Sequence, residues 1–484
     1  MIGRTAIALT ALLFATTAAA APNPAAPDPA TQAGAVTTQH TVDLAGGRKL
    51  AYTAEAGRIT LRDAETGEPH GYMFYTAYRV RSDKPRPVTF IWNGGPGADS
   101  STLHFHVAGP VRVVDGQLVE NPDTWLAASD LVFVDPVGTG FSRPAKAEYA
   151  DEFYGTVGDV ASVAEFVRNW LLQHHADGAP VWLVGESWGA GRAGSVGAAL
   201  EKRGVKVSGM VLLSGGSGLH KDFIPRELSE ALHVADLNAT AAYWHRAKAD
   251  PQAAERWARV VYAPALAHRD QLSDADRAKI VTELSAFTGL SADQIDPKTL
   301  LITPRQYRSG LLKSEGKTLN TFDMRITAEP KEGADVAAIL RYLRHDLGYH
   351  TDLPYVGLEP AEGGYGASVG ERWNYATEKV TPEAYQAALA EAMKRGGGPP
   401  VLGAPLPSTA EEIALDPGTR VLVAAGLYDS LNSCAANAET GKRLPSNLAK
   451  AITFRCYTGG HMMYRDEPTR IRLSDDIKAM IGGR

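Results

Sequence analysis

Two kinds of apolar patterning divide the chain. From Thr41 to Val80 apolar and polar positions alternate, in TVDLAGGRKLAY and RITLRDAETGEPHGYMFYTAYRV, with natural turns at Gly46-Gly47 and Glu65-Thr66-Gly67. That period predicts antiparallel strands. Six later runs behave differently: PVTFIW (87–92), LVFVD (131–135), VWLVG (181–185), MVLLSG (210–215), RVLVAAG (420–426) and ITFRCY (452–457) are short and almost continuously apolar. Apolarity without alternation implies burial on both faces, as in a largely parallel sheet covered by helices. One such helix is predicted over Asp159–Leu172, with Asp159 as N-cap and Val160, Val163, Ala164, Val167 and Leu171 on one face.

Between MVLLSG and RVLVAAG the pattern changes. Helix starts recur at Ser273, at Thr303 before Pro304, and at Thr381 before Pro382-Glu383, whereas strand signals are sparse. The expected organisation is an α/β fold of residues 41–220 and 416–484, interrupted by an inserted, mainly helical cap over 221–415. Short extended pieces are expected near Leu319–Ala328, and a GGGPP stretch at 396–400 closes the insertion.

Composition narrows the setting. Met1–Ala21 has one positive charge at Arg4, an apolar core shorter than a membrane span and an Ala-rich end, the layout of a secretory signal peptide. Residues 22–40 are Pro- and Ala-rich at first and read as a disordered leader. No later stretch is apolar enough to span a bilayer, so an exported protein, periplasmic or secreted, is expected. A formal net charge of −6 with mixed signs offers no stripe for nucleic acid. The two cysteines, Cys434 and Cys456, are too few for a disulfide scaffold; export permits a bond between them, and two buried thiols fit equally well.

Candidate chemistry sits at strand ends. VWLVG runs into Gly185-Glu186-Ser187-Trp188-Gly189, a Gly-x-Ser-x-Gly elbow that leaves a serine hydroxyl exposed at a helix N-terminus. Alone, this is also how an ordinary glycine turn reads. Three more loops follow predicted strands: Asn93-Gly94-Gly95-Pro96-Gly97, Gly426-Leu427-Tyr428-Asp429 and Gly459-Gly460-His461. Open α/β sheets place ligands at that edge. The order Ser187, Asp429, His461 suits a nucleophile, an imidazole-orienting carboxylate and a general base, with the glycine-rich loop and the Trp188 N–H supplying oxyanion donors. This chemistry requires no cofactor, and an isolated His104-x-His106 pair is a poor metal signal.

At these residues the sequence resembles the serine carboxypeptidase family. The resemblance is carried, in order, by WNGGPGADSS (92–101), DPVGTGFSRP (135–144), GESWGAG (185–191), GLYDSLN (426–432) and TGGHMMY (458–464). It implies an α/β-hydrolase fold with a cap, and release of C-terminal residues from peptides. Carried over, Ser187, Asp429 and His461 form the triad, Gly95 and Trp188 the oxyanion hole, and Asn93, Gly94 and Glu186 the receptor for the substrate's terminal carboxylate. A glutamate binds a carboxylate only if the pair holds a proton, which favours low pH. The chain departs from the family where the second glutamate would fall, at Val107, with His104 and His106 as candidate replacements. Ala98-Asp99 stands in place of Cys-Ser. The departure at Val107 keeps open a serine esterase, amidase or acyltransferase on the same fold, with no strict need of a free C-terminus. A binding protein without activity is disfavoured by the retention of every triad and hole position. Trp125, Phe141, Trp188 and Tyr428 are candidates for an apolar side-chain pocket. Oligomeric state is not legible.

Overall fold

The structure is a computed structural model that describes residues 34–216, 218–219, 223–327, 333–357, 369–394 and 402–483. The expected signal peptide and the GGGPP stretch lie outside the described residues. Nine strands form the body of one sheet: β1 (Val36–Asp43), β2 (Lys49–Arg62), β3 (Pro69–Arg79), β4 (Val88–Trp92), β5 (Asp130–Val134), β6 (Val181–Glu186), β7 (Val207–Leu213), β8 (Arg420–Gly426) and β9 (Ile452–Tyr457). Their spatial order is β1-β2-β3-β5-β4-β6-β7-β8-β9. The alternating segments make the antiparallel side, β1 to β3, and β3 meets β5 antiparallel. The six apolar runs make the parallel side, from β5 through β4, β6, β7 and β8 to β9.

Val36–His40, counted in sequence with the leader, belong instead to edge strand β1. Val36, Thr38, His40 and Val42 face inward in alternation, and their backbones pair with Tyr52–Ala56 and Leu50 of β2, so the leader's Pro-rich character ends before them. Helices α1 (Thr156–Gln173) and α2 (Trp188–Glu201) pack on one face of the sheet, where Val163, Phe166, Val167, Trp170, Ala193 and Val196 join one buried cluster. The cap of α1 is Gly155, not Asp159. Asp159 lies inside the first turn and is buried against Arg192 of α2, a partner that local sequence rules do not see.

Within 221–415, helices α3 (Arg226–Tyr243), α4 (Asp274–Thr288) and α5 (Pro304–Gly310) enclose a hydrophobic cluster of their own, including Leu232, Leu284 and Tyr307. Ser273 caps α4 through the Asp276 N–H, and Thr303 forms a capping box with Gln306 on α5. Residues 319–327 hold no strand. Asn320 Oδ1 accepts from the N–H groups of Phe322 and Asp323, and Asp323 Oδ1 from that of Arg325, so side chains take up donors that a ladder would use. Later parts of the insertion return to the sheet: Tyr342, Leu343, Leu347 and Tyr349 share a core with Phe74 and Phe141. After β8 come α6 (Cys434–Arg443) and, after β9, α7 (Glu467–Ile481).

Candidate active site

Sheet topology brings the strand ends together. β6 lies between β4 and β7, and β8 between β7 and β9, so the loops after β4, β6, β8 and β9 share one edge. Ser187 adopts φ 57° and ψ −125°, backbone that a side-chain-bearing residue rarely takes, at the junction of β6 and α2. The flanking glycines are required: a Cβ on Gly185 would stand 1.9 Å from the Gly189 carbonyl oxygen, and one on Gly189 would meet the Asn93 carbonyl at 2.7 Å. Ser187 Oγ makes no capping bond, while both β6 residues that precede it are buried.

His461 Nδ1 lies 2.8 Å from Asp429 Oδ2. Asp429 also accepts from Asn432 Nδ2 at 2.7 Å and from the Leu431 N–H at 2.9 Å. Burial works against the imidazolium, but the adjacent Asp429 carboxylate, helped by Glu186, outweighs it and raises the His461 pKa above its ordinary value. The stretch Leu213–Gly215 abuts both partners. Ser187 N–H donates to the Leu213 carbonyl at 2.8 Å, Ser214 Oγ donates to the His461 carbonyl at 2.6 Å, and a Cβ on Gly215 would lie 2.2 Å from the Ser187 carbonyl oxygen. No hydrogen bond joins Ser187 Oγ to His461 Nε2, which is buried without a partner among the described residues. Such contacts commonly tighten only when substrate binds.

The turn at 320–326 stitches the two later loops in place. Phe322 carbonyl accepts from the His461 N–H at 2.5 Å, the Thr321 carbonyl from Ser430 Oγ at 2.6 Å, and the Met324 N–H donates to the Tyr428 carbonyl at 2.9 Å. A disulfide joins Cys434 to Cys456, with Cα atoms 5.5 Å apart, and so ties α6 to β9 just behind Asp429 and His461.

The glycine-rich loop closes on the elbow from the other side. A Cβ on Gly94 would lie 2.5 Å from the Glu186 carbonyl oxygen and 2.6 Å from the Trp188 nitrogen, so only glycine permits this approach. Ala98 N–H donates to the Gly94 carbonyl at 3.2 Å, which sets the plane of the peptide whose other end is the Gly95 N–H. Trp188, first residue of α2, has no intrahelical acceptor for its own N–H. Beside these donors Glu186 is held by Asn93 Nδ2 on one oxygen at 2.8 Å and by Tyr464 hydroxyl on the other at 2.5 Å. Burial raises the Glu186 pKa, against the opposing pull of His461, Tyr464 and Asn93. Tyr464 was within reach of sequence reasoning, since it ends the TGGHMMY block, but nothing in its local pattern assigns it a partner 278 positions away.

The expectations for His104, Trp125 and Phe141 change. Val107 is fully buried in the core beside Leu103 and Phe105. His104 is also turned inward, hydrogen-bonded to Tyr78 hydroxyl at 2.7 Å and stacked on Phe133, so it does not stand in for a glutamate. Burial, with Arg465 and Arg112 nearby, depresses the His106 pKa to about 3, leaving a neutral ring. Of the aromatic candidates, Trp125 and Phe141 are core residues, Trp125 bonding Ser474 Oγ through its indole N–H. Tyr428 packs against Tyr243 and beneath the Arg325 guanidinium. Trp188 walls a cavity of about 490 Å³ with Asp159, Val160, Arg192, Tyr375 and Leu406.

Asp99 lies near the buried Asp135. Ser100 N–H and Oγ both donate to Asp135 Oδ1, at 2.8 and 2.7 Å, and Tyr355 hydroxyl donates to Asp99 Oδ1 at 3.2 Å. Burial first, then the neighbouring Asp99, pushes Asp135 up to about 7. A carboxyl with a folded pKa above its unfolded value of about 3.9 keeps more protons folded than unfolded between those two values. Stability contributed by the pair is therefore intact in acid and declines as pH rises toward 7. Asp99→Asn is expected to raise the melting temperature at pH 8 and to change it little at pH 4; a shift independent of pH would contradict the effect of Asp99 on Asp135.

Comparison with known proteins bears on the fold and on residues 49–202. Residues 49–202 match the family model described as serine carboxypeptidase. The pheromone-processing carboxypeptidase KEX1 of Yarrowia lipolytica is 28% identical over 202 residues, covering 38% of this chain and 32% of that protein. Its Saccharomyces cerevisiae counterpart is 38% identical over 95 residues, 18% of this chain and 13% of that one. The chain thus spans about a third or less of these curated relatives. The crystal structure of KEX1(delta)P, a prohormone-processing carboxypeptidase from Saccharomyces cerevisiae, superposes with a TM-score of 0.54 at 16% identity, covering 89% of this chain and 91% of that one. The fold is thereby the α/β-hydrolase fold, and residues 49–202 are similar to the serine carboxypeptidase family.

Proposed function

We propose that the protein is an exported serine carboxypeptidase that releases C-terminal residues from peptides. The observation that carries this reading is the buried Glu186 carboxyl, held by Asn93 and Tyr464, on the residue before the nucleophile, whose main-chain carbonyl the Gly94 backbone approaches. Its raised pKa keeps a proton available to share with a terminal carboxylate. An esterase has no use for a carboxyl placed to share a proton with a carboxylate.

In the reaction, Ser187 Oγ attacks the last peptide carbonyl and its proton passes to His461 Nε2. The new C–O bond leaves negative charge on the carbonyl oxygen, toward which the Gly95 and Trp188 N–H groups are the available donors. Collapse breaks the C–N bond, and the imidazolium gives its proton to the departing amine. Water then repeats the sequence on the acyl-enzyme, releasing the shortened peptide and restoring the serine. Asp429 keeps Nδ1 protonated throughout, so Nε2 is the nitrogen that accepts. The mostly apolar cavity beside Trp188 is the candidate pocket for the side chain on the acyl side.

The test compares an N-blocked dipeptide with its C-terminally amidated form. The free acid is expected to react at least tenfold faster in kcat/KM at pH 5, and the advantage is expected to shrink as pH rises and Glu186 loses its proton. Equal rates at every pH would remove the carboxypeptidase assignment and leave the esterase or amidase reading, with the same triad.

A further inference from the structure

Arg192 sits on α2, one turn beyond Trp188, and its side chain is 1% exposed. Its Nε donates to Asp159 Oδ2 at 2.5 Å, and the Asp159 side chain is only 3% exposed. Taking a guanidinium and a carboxylate out of water is costly, and a helix-to-helix contact between α1 and α2 could be made by apolar residues at less cost. The pair therefore calls for a purpose besides packing. The second acceptor of Arg192 supplies one: its Nη1 donates to the main-chain carbonyl of Asn93 at 2.9 Å.

That carbonyl belongs to the peptide whose other end is the Gly94 N–H. Because a trans peptide is planar, with C=O and N–H pointing in opposite directions, fixing the oxygen fixes the direction of the N–H. The remaining groups of Asn93 are also committed. Its Oδ1 accepts from the Leu103 N–H at 3.0 Å and its Nδ2 donates to Glu186. Trp92 indole N–H donates to the Gly189 carbonyl at 2.9 Å, so the residue before Asn93 is pinned to α2 as well. Among the described residues Arg192 is thus the only charged side chain bonded to the backbone of Asn93, and Asp159 holds it in the required rotamer.

We propose that Arg192, oriented by Asp159, is a positioning residue that aims the Gly94 N–H at the terminal carboxylate of the substrate. The inference rests on the carboxypeptidase reading and refines it. Arg192 touches no reacting atom; it acts through the Asn93–Gly94 peptide. Since Gly94 contacts the carboxylate in ground state and transition state alike, loss of its aim raises KM more than it lowers kcat.

The experiment uses Arg192→Met, Arg192→Lys and Asp159→Asn in the full chain, with free-acid and amidated dipeptides and a melting curve for each variant. Arg192→Met is expected to raise KM for the free acid about tenfold, the loss of one hydrogen bond to a charged group, and to affect the amidated dipeptide less. Arg192→Lys is expected to recover part of the KM, because an ammonium can still reach a carbonyl, and Asp159→Asn to fall between. A purely structural role would lower the melting temperature and depress both substrates equally, and that result overturns the proposal. So does an unchanged free-acid KM in a folded variant. If Arg192→Met does not fold, Arg192→Lys and Asp159→Asn decide by the same two criteria. Wild-type enzyme that does not prefer the free acid would instead defeat the carboxypeptidase reading itself.

Discussion

Ser187→Ala is expected to lower kcat on a blocked dipeptide by about a million-fold, the scale on which removal of a serine nucleophile acts when the rest of a triad remains. The change should leave the fold alone. Alanine keeps a Cβ at the same φ of 57°, so the strain of the elbow is neither added to nor relieved, and Oγ makes no capping bond whose loss would fray α2. The Asp429–His461 pair and the Asn93–Glu186–Tyr464 network do not involve the hydroxyl. Substrate binding should therefore persist, and the variant should retain its melting temperature while failing to label with a fluorophosphonate. Activity within a hundredfold of wild type would show that another group attacks the carbonyl. A loss of labelling accompanied by unfolding would be met by Ser187→Cys, which keeps size and geometry and separates chemistry from stability.

What the sequence made legible follows from where the determinants lie. Each of the six apolar runs became a strand of the parallel side, because a strand covered on both faces has no polar position to disguise it. The elbow and its glycines were readable for a steric reason that is local: Gly185, Gly189 and Gly94 each face backbone atoms closer than any side chain allows. Contacts between distant segments were not readable. Asp159 has the composition of an N-cap, yet its partner is Arg192 on the next helix, and Gly155 takes the cap. Tyr464 and Glu186 meet only because β9 and β6 end at the same edge. His104 followed the opposite error: its place beside Val107 made it a candidate replacement for a glutamate, but a π-helical turn over His104–Ala108 directs it into the core, onto Tyr78 and Phe133. The turn at 320–326, which anchors the Asp429 and His461 loops, has no hydrophobic period to announce it, since its order comes from Asn320 and Asp323 side chains bonding nearby backbone.

Asp429→Asn is the second substitution with a large expected effect, about ten-thousand-fold in kcat/KM near neutral pH, the scale known for loss of the orienting carboxylate in a serine triad. The structure shows why no rotamer of asparagine suffices. Asp429 accepts three donors: His461 Nδ1–H and Asn432 Nδ2 on one oxygen, and the Leu431 N–H on the other. Asparagine offers one oxygen and one NH2 group. With its oxygen toward His461, the NH2 opposes the Leu431 N–H; turned over, the NH2 opposes Asn432 and forces His461 to accept at Nδ1. That tautomer carries its proton on Nε2 and cannot take one from Ser187. Either arrangement also removes the negative charge that holds the His461 pKa above its ordinary value, while the burial that lowers it remains. The general base must be neutral to act, so wild-type activity is lost as pH falls through the raised pKa, and in Asp429→Asn that acid limb is expected to move to lower pH. Activity should therefore recover partially in alkali, where a base other than the misoriented imidazole can take the proton, while the His461 titration followed by NMR moves downward. A loss smaller than tenfold, or an acid limb that stays in place, would mean that His461 is not oriented by this carboxylate during turnover.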